Sequence, residues 1–335
     1  MSTEEGGLFT APPPAAPELP RRPEAIKAIP VRHPWRLVAA VLVLAFAAAV
    51  VYTFATAPAL SWGVVGAYLF FPRIMQAVLV TLELTAIAMA IGIALGILLA
   101  VMRLSLNPVV STVSWFYIWF FRGTPVLVQI FFWFNIAVVL PVLKIGIPFT
   151  GLQWIGNTNS IVTPFLAAIL GLGLNEAAYM SEIVRAGIIS VDQGQSEAAQ
   201  ALGMTRVLLM RRIVLPQAMR VIIPPTGNET ISMLKTSSLA YIATVGELFF
   251  VQKEISNFNY DIIELVIVAS IWYLAMTSVL TFGQYYLERY FARGAARQLP
   301  PTPLQRFRRM LFHFHAPPAD RYQADVPSDI GSPHA

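Results

Sequence analysis

Apolar residues run along this chain in long stretches, and the charge gathers in the short segments between them. Stretches near 37–56, 74–102, 126–143, 161–180, 221–250 and 262–286 approach or exceed the roughly 20 residues a helix needs to cross a bilayer. The pattern predicts an all-α, polytopic membrane protein with about six transmembrane helices. The fifth stretch contains Pro224-Pro225 and carries Asn228, Glu229 and Lys235, so it is expected to be interrupted there. The first starts too late and runs too long for a signal peptide, and reads as a retained helix.

Composition sharpens this picture. Of 335 residues 56% are hydrophobic and 12% charged, about half the charge of a soluble domain. With the N-terminus in the cytoplasm, 19 of the 23 Lys and Arg fall on the cytoplasmic side, so both termini are expected inside. That tally includes Arg103, Arg122 and Arg185. The net charge of +5 therefore needs no nucleic acid. Without cysteine there is no disulfide or thiolate chemistry. Residues 1–34, rich in proline, and 292–335, rich in Pro, Arg and His, read as disordered cytoplasmic tails. Their basic residues either lie against anionic lipid or are inert.

One polar segment between spans stands out. From Ser190 to Pro216 the chain reads SVDQGQSEAAQALGMTRVLLMRRIVLP. Gln195 to Leu202 is a good helix former, with Ser196 or Gln193 near its start and Gly203 as its stop. A second helix, capped by Thr205, is expected to run to Ile213 and end before Pro216. Ala198, Ala199 and Ala201 would let such a knob enter a groove, and Glu197 has Arg211, Arg212 or a partner's arginine to pair with. An amphipathic helix lying on the membrane is the alternative. The spacing of Glu197-Ala198-Ala199, Gly203, Ile213 and Leu215-Pro216 resembles the docking loop of the membrane subunits of bacterial ABC importers.

The resemblance extends over about 73–288. Phe121-Arg122-Gly123-Thr124-Pro125, the stretch NEAAYMSEIVRAG from Asn175 to Gly187, and Gly227-Asn228-Glu229 followed by LKTSSL from Leu234 to Leu239 are similar to permeases for polar amino acids. This is the histidine, glutamine and arginine permease family of binding-protein-dependent inner membrane components. The resemblance implies a type I importer core of five helices at 73–288, with an EAA docking loop at 189–217 and an extra N-terminal helix at 35–57. It implies a second permease subunit (the same chain or another), an ATPase dimer and an extracytoplasmic solute-binding protein, in a bacterial plasma membrane. ATP and Mg would belong to the ATPase, and this chain would bind no cofactor. Two departures are visible. Thr236 stands where the family commonly shows Asp, and the loop at 141–160 is longer than a minimal member needs, so it is expected to add to the binding-protein landing surface.

Ionisable residues inside spans are costly unless paired or wet. Glu83, Glu176, Glu182, Arg185, Glu229, Lys235, Glu247 and Glu264 qualify by position. An amino acid needs an acceptor for its ammonium, for which Glu229 or Glu182 is available. Its carboxylate needs a donor: Lys235, Arg185 or free amides near Gly227. Asn228, Ser237 and Ser238 would add hydrogen bonds. Against this, Glu182 with Arg185, and Glu229 with Lys235, read equally as internal neutralising pairs. Arg122 is expected at the cytoplasmic start of its span, capping helix ends, touching the docking loop or snorkelling to the interface, with Gly123, Thr124 and Pro125 fixing the turn. No GxxxxGK[ST] or HExxH stretch occurs, the four histidines lie in the tails, and no catalytic constellation is present, so the chain reads as a transporter rather than an enzyme. A stand-alone secondary transporter or channel for a small polar solute is the alternative.

Overall fold

The longest apolar run explains the framework. Residues 72–103 form one helix (α3, Pro72–Arg103) about 48 Å long, ample for a crossing. A computed structural model describes residues 34–146 and 153–291, and both tails named above, apart from Pro34, lie outside the described residues. Among the described residues, three helices are long and apolar enough to span: α1 (Pro34–Ala55), α3 and α13 (Ile262–Phe291). α1 is exposed along its whole apolar window, as suits a helix facing lipid. A short helix, α2 (Trp62–Leu69), precedes α3. Its end is tied to α13 where Trp272 Nε1 donates to the Leu69 carbonyl at 2.8 Å.

α3 packs most closely on α8 (Pro164–Ile189), and small residues are the reason. Gly92 and Gly96 stand one turn apart on the contact face. A Cβ on Gly92 would meet Glu176 Cγ at 2.5 Å, and one on Gly96 would meet Met180 Cβ at 2.5 Å. In lipid no hydrophobic effect drives helices together, so backbone approach of this kind carries the association.

Two crossings are built differently from expectation. The third does not begin at Val126 but at Pro108: α4 (Pro108–Gly123) rises beside α3 and is followed, after a break at Thr124-Pro125, by α5 (Val126–Phe134). After a four-residue turn, α6 (Ile136–Val139), the chain leaves the helical region as an antiparallel hairpin, β1 (Val142–Gly146) and β2 (Gln153–Asn157), with Lys144 opposite Ile155. The described residues of the loop at 141–160 thus include these two strands and the start of another short turn, α7 (Thr158–Ile161), before α8. The fifth crossing is also split, but not at the prolines.

α11 (Leu215–Thr236) runs through Pro224-Pro225 without interruption. Thr226 donates its hydroxyl to the Ile222 carbonyl at 2.8 Å, within the turn that the prolines weaken. The break comes later, in a 3-10 segment at Ser237–Ala243 and a left-handed Thr244, before α12 (Leu248–Asn259) resumes. About six crossings result, as the apolar pattern implies, two of them assembled from two helices each.

Substituting Gly96 by Leu drives a branched side chain into Met180 and the backbone of Ser181. Overpacking of this sort costs about 1–3 kcal/mol. The expected outcome is a lower thermal midpoint and loss of the monodisperse peak in detergent gel filtration. Gly66→Ala, where the added Cβ meets nothing within 4 Å, should leave both unchanged.

Candidate functional site

A helix that stops inside a membrane leaves backbone groups that only protein can satisfy. α4 stops at Gly123, and side chains from two helices converge on its end. Gln129, buried on α5, donates through Nε2 to the Phe121 carbonyl (2.9 Å), the Thr124 carbonyl (3.1 Å) and Thr124 Oγ1 (2.8 Å). Asn175 on α8 donates to the same Phe121 carbonyl at 2.8 Å, and the Tyr117 hydroxyl donates to the Leu174 carbonyl at 2.8 Å. Pro125, extended and lacking an N–H, fixes the corner.

This places the Arg122-Gly123-Thr124-Pro125 turn beside the middle of α8, not at a cytoplasmic surface as its charge suggested. Glu176 there lies against Gly92, about 17 Å along α3 from Arg103. The reading of Arg122 as a cytoplasmic residue is therefore corrected. The apolar run that follows Pro125 is only the second half of its crossing.

Around the turn opens a cavity of about 610 Å³. Arg122 to Val126 form one wall, Asn175, Glu176 and Tyr179 of α8 a second, and Glu229, Ser232, Met233 and Thr236 of α11 a third. The size suits a small solute. Glu176 is 4% exposed and its Oε1 has no hydrogen-bond donor among the described residues. A buried carboxylate oxygen without a donor costs several kcal/mol unless the group takes up a proton or a ligand supplies a donor. Glu229 shares the cavity and is close enough for its charge to act on Glu176, while the Arg122 charge acts on Glu229. The cavity thus holds two carboxylates and one guanidinium.

Of the residues singled out in the sequence, the structure brings Glu176, Glu229, Arg122, Gly123, Thr124 and Pro125 to this cavity. Asn228 points instead to α13, accepting from Gln284 Nε2 at 3.0 Å. Lys235 is exposed on the next turn and is not a lining residue. Ser237 is buried and spends its hydroxyl on the Leu234 carbonyl at 2.8 Å, inside the 3-10 turn, while Ser238 donates to Lys235. Glu182 and Arg185 bond each other at 2.6 Å, three residues apart on α8. Tyr179 and Ser232 were not singled out in the sequence, and Glu176 was singled out only as an intramembrane charge, with no role toward the substrate. The spacing of Glu176, Tyr179 and Glu182, three apart on one helix, was the available signal. Thr236, the departure from the family pattern, does line the cavity.

The EAA segment forms a compact knob between α8 and α11. Its first helix, α9 (Gln193–Ala201), is capped by Asp192, whose Oδ1 accepts from Gly194 N at 2.7 Å, rather than by Ser196 or Gln193. Gly203 takes φ +76°, the left-handed stop that favours glycine. Thr205 caps α10 (Arg206–Leu209). The helix does not end before Pro216. It widens into a π turn at Met210–Val214 and continues as α11 with Pro216 in its first turn, where a missing N–H is tolerated. Ala199 is buried with Leu209 and Val214 as the knob's own core, partly covered by Ile213, so it cannot enter a partner's groove. The exposed face carries Glu197, Ala198, Leu202 and Val207, the last two 83% and 78% exposed. Glu197 closes no ion pair with Arg211 or Arg212.

Comparison with known proteins bears directly on this arrangement. Residues 92–293 match the family described as binding-protein-dependent transport system inner membrane component. The chain is 46% identical to the arginine transport system permease protein of Corynebacterium glutamicum, over 84% of this chain and 88% of that protein. It is 41% identical to the nopaline transport system permease protein of Agrobacterium fabrum, over 63% and 84%. Among solved structures, an amino acid ABC transporter crystallised with histidines aligns over 66% of this chain and 95% of its own, at 33% identity and a TM-score of 0.57. The fold alone is shared with an inward-facing methionine ABC transporter, at 18% identity and a TM-score of 0.51. A membrane-embedded chain with this core, these motifs and these relatives belongs to the binding-protein-dependent transport system inner membrane component family, as a permease subunit of an amino acid ABC importer.

Proposed function

We propose that this subunit passes an amino acid with a cationic side chain through the cavity at the Arg122–Pro125 turn. The observation that carries this reading is Glu176: a buried carboxylate with a free oxygen, facing a hollow that a second carboxylate, Glu229, also lines. Glu176 and Glu229 bind the two cationic groups of the substrate, and Arg122 takes its α-carboxylate by a charge-assisted, two-pronged contact. The relative at 46% identity is named for arginine transport, which supports the class. Asn228, Lys235, Ser237 and the Glu182–Arg185 pair take no part in holding the amino acid in this cavity.

The rest of the machine lies in partners. An extracytoplasmic binding protein delivers the amino acid, and a second permease subunit, identical or different, closes the open side of the cavity. Two ATPase subunits bind ATP and Mg and grip the knob through Glu197, Ala198, Leu202 and Val207, with Gly203 setting its shape. Ile213, Leu215 and Pro216 join the knob to α11. Both termini and the knob lie in the cytoplasm of a bacterial cell, and this chain itself holds no cofactor.

Two measurements test these assignments. In liposomes holding the full transporter, Glu176→Gln should raise the KM for arginine about tenfold or more, since bonds to charged groups are worth about 1.5–3 kcal/mol. It should also erase the preference for arginine over citrulline, its uncharged isostere. An unaltered KM and preference would remove Glu176 from the site. Separately, Leu202→Glu buries a charge in the proposed ATPase contact, and Gly203→Val forces a branched residue into a left-handed conformation. Both variants should insert in the membrane yet lose the ATPase on co-purification. Retention of the ATPase by both would place the contact elsewhere.

A further inference from the structure

A second hollow, of about 510 Å³, lies on the Arg103 side of the first and is lined by Arg103, Trp115, Trp119 and Glu182. The two hollows share a wall made of Arg122, Gly123 and Tyr179. α8 supplies the line that joins them. Glu176 belongs to the first, Glu182 to the second, and Tyr179 stands between, lining both. Three-residue spacing puts these groups on one side of the helix, each about 4.5 Å of rise from the next. Read along that side, the chemistry is carboxylate, π face, carboxylate. A cation moving down it leaves one attractive partner only as it meets the next.

The middle station is occupied. The guanidinium carbon of Arg122 sits 5.1 Å from the centre of the Tyr179 ring. Arg122 is in the last turn of α4, two residues before the break at Thr124. It closes no ion pair among the described residues, although its charge acts on Glu229. The lower station is occupied in the same way, by Arg185 on Glu182 at 2.6 Å. The protein's own guanidinium groups therefore show what these positions accept.

We propose that Glu176, Tyr179 and Glu182 form a track for the cationic side chain of the substrate, that the hollow beside Trp115 and Trp119 is its exit site, and that Arg122 is a tethered plug on the track. The proposal rests on the reading that the first hollow holds a cationic amino acid. In the empty cavity Arg122 stays on Tyr179 and the passage is shut. A bound amino acid offers its carboxylate to Arg122, which leaves the ring, and the freed ring takes the substrate's cation in its place. Only a substrate with both groups opens the way. Below the wall, Trp115 and Trp119, stacked at 6.3 Å, present further faces to the cation, and Arg103 receives the carboxylate.

The test uses the full transporter, permease with ATPase and binding protein, in liposomes preloaded with millimolar radiolabelled arginine. ATP hydrolysis stimulated by loaded binding protein shows that each variant is assembled. Without ATP, efflux through Arg122→Ala should exceed wild type about tenfold or more, and Arg122→Lys should restore most of the seal. If the alanine variant does not assemble, Arg122→Gln removes the charge while keeping a polar chain. With ATP, Tyr179→Leu should lower the maximal uptake rate about tenfold, and Tyr179→Phe, which keeps the ring, should retain several times the rate of the leucine variant. An assembled variant without the Arg122 charge that is as tight as wild type overturns the plug. Equal rates for the leucine and phenylalanine variants overturn the track. Glu176→Gln separates the two levels: a raised KM beside a tight Arg122 variant leaves the cavity standing and removes the plug, whereas an unaltered KM removes the cavity reading itself.

Discussion

Two helix breaks among the described residues fall inside crossings, after Gly123 and after Thr236, and the hydrogen bonds that satisfy them decide where the surrounding helices go. Nonhelical backbone at membrane depth survives only when protein groups meet its polar atoms. At the first break the amides of Gln129 and Asn175 share the Phe121 carbonyl, which locks the end of α4 to both α5 and α8. At the second, Glu247 is fully buried and caps α12: its Oε2 accepts from Phe249 N at 2.8 Å and from the Tyr273 hydroxyl at 3.1 Å, and its Oε1 accepts from Phe250 N at 2.7 Å. The neighbouring Leu248 N donates to Thr81 Oγ1 of α3 at 3.0 Å. These bonds tie the split crossings to their neighbours, and the cavity opens at the first of them.

That dependence explains what could be read from the letters and what could not. The apolar runs gave the crossings because burial in lipid demands length and hydrophobicity, and α3 and α13 needed nothing more. The split crossings resisted because half-helices such as α5, at nine residues, fall below the length that hydrophobic runs report. Arg122 marked a span end by its charge, yet it faces a polar hollow, where the usual cost of an intramembrane arginine does not apply. Pro224-Pro225 looked like a break, but two adjacent missing N–H groups did not stop a helix whose neighbours hold it on both sides. Gln284 of α13 donates to the Pro224 carbonyl at 3.2 Å and packs so closely that a Cβ on Gly227 would meet its Cγ at 2.6 Å.

The knob was the most legible polar element, because its caps and its glycine act locally. Asp192, Thr205 and Gly203 each satisfy or free backbone within three residues of themselves, and sequence spacing captures such effects. What spacing did not show was which alanine faces inward. Alanine-rich helices carry no amphipathic label, and the burial of Ala199 is set by Leu209 and Val214 from the next turn of chain. Leu202 and Val207 were passed over for the same reason. Large apolar residues on a short helix look like its core until the fold leaves them outside.

The placement of the knob gives the cavity its mechanical setting. It is inserted between the two helices that carry the carboxylates, Glu176 on α8 and Glu229 on α11. Where these helices meet the knob they are packed without slack: a Cβ on Gly187 would stand 2.3 Å from Ile222 Cγ1. Ile188 and Val191 pack both on the buried Val184, Ala218 and Ile222 and on the knob's own core. Such interiors are poorly compressible and shift as blocks. A displacement of the knob against the membrane therefore reaches both walls of the cavity through contacts that cannot absorb it. Moving α8 relative to α11 changes the separation of the two carboxylates, and with it the fit of a ligand that binds both. In the proposed mechanism, the knob rather than the cavity sets the geometry that holds and releases the amino acid.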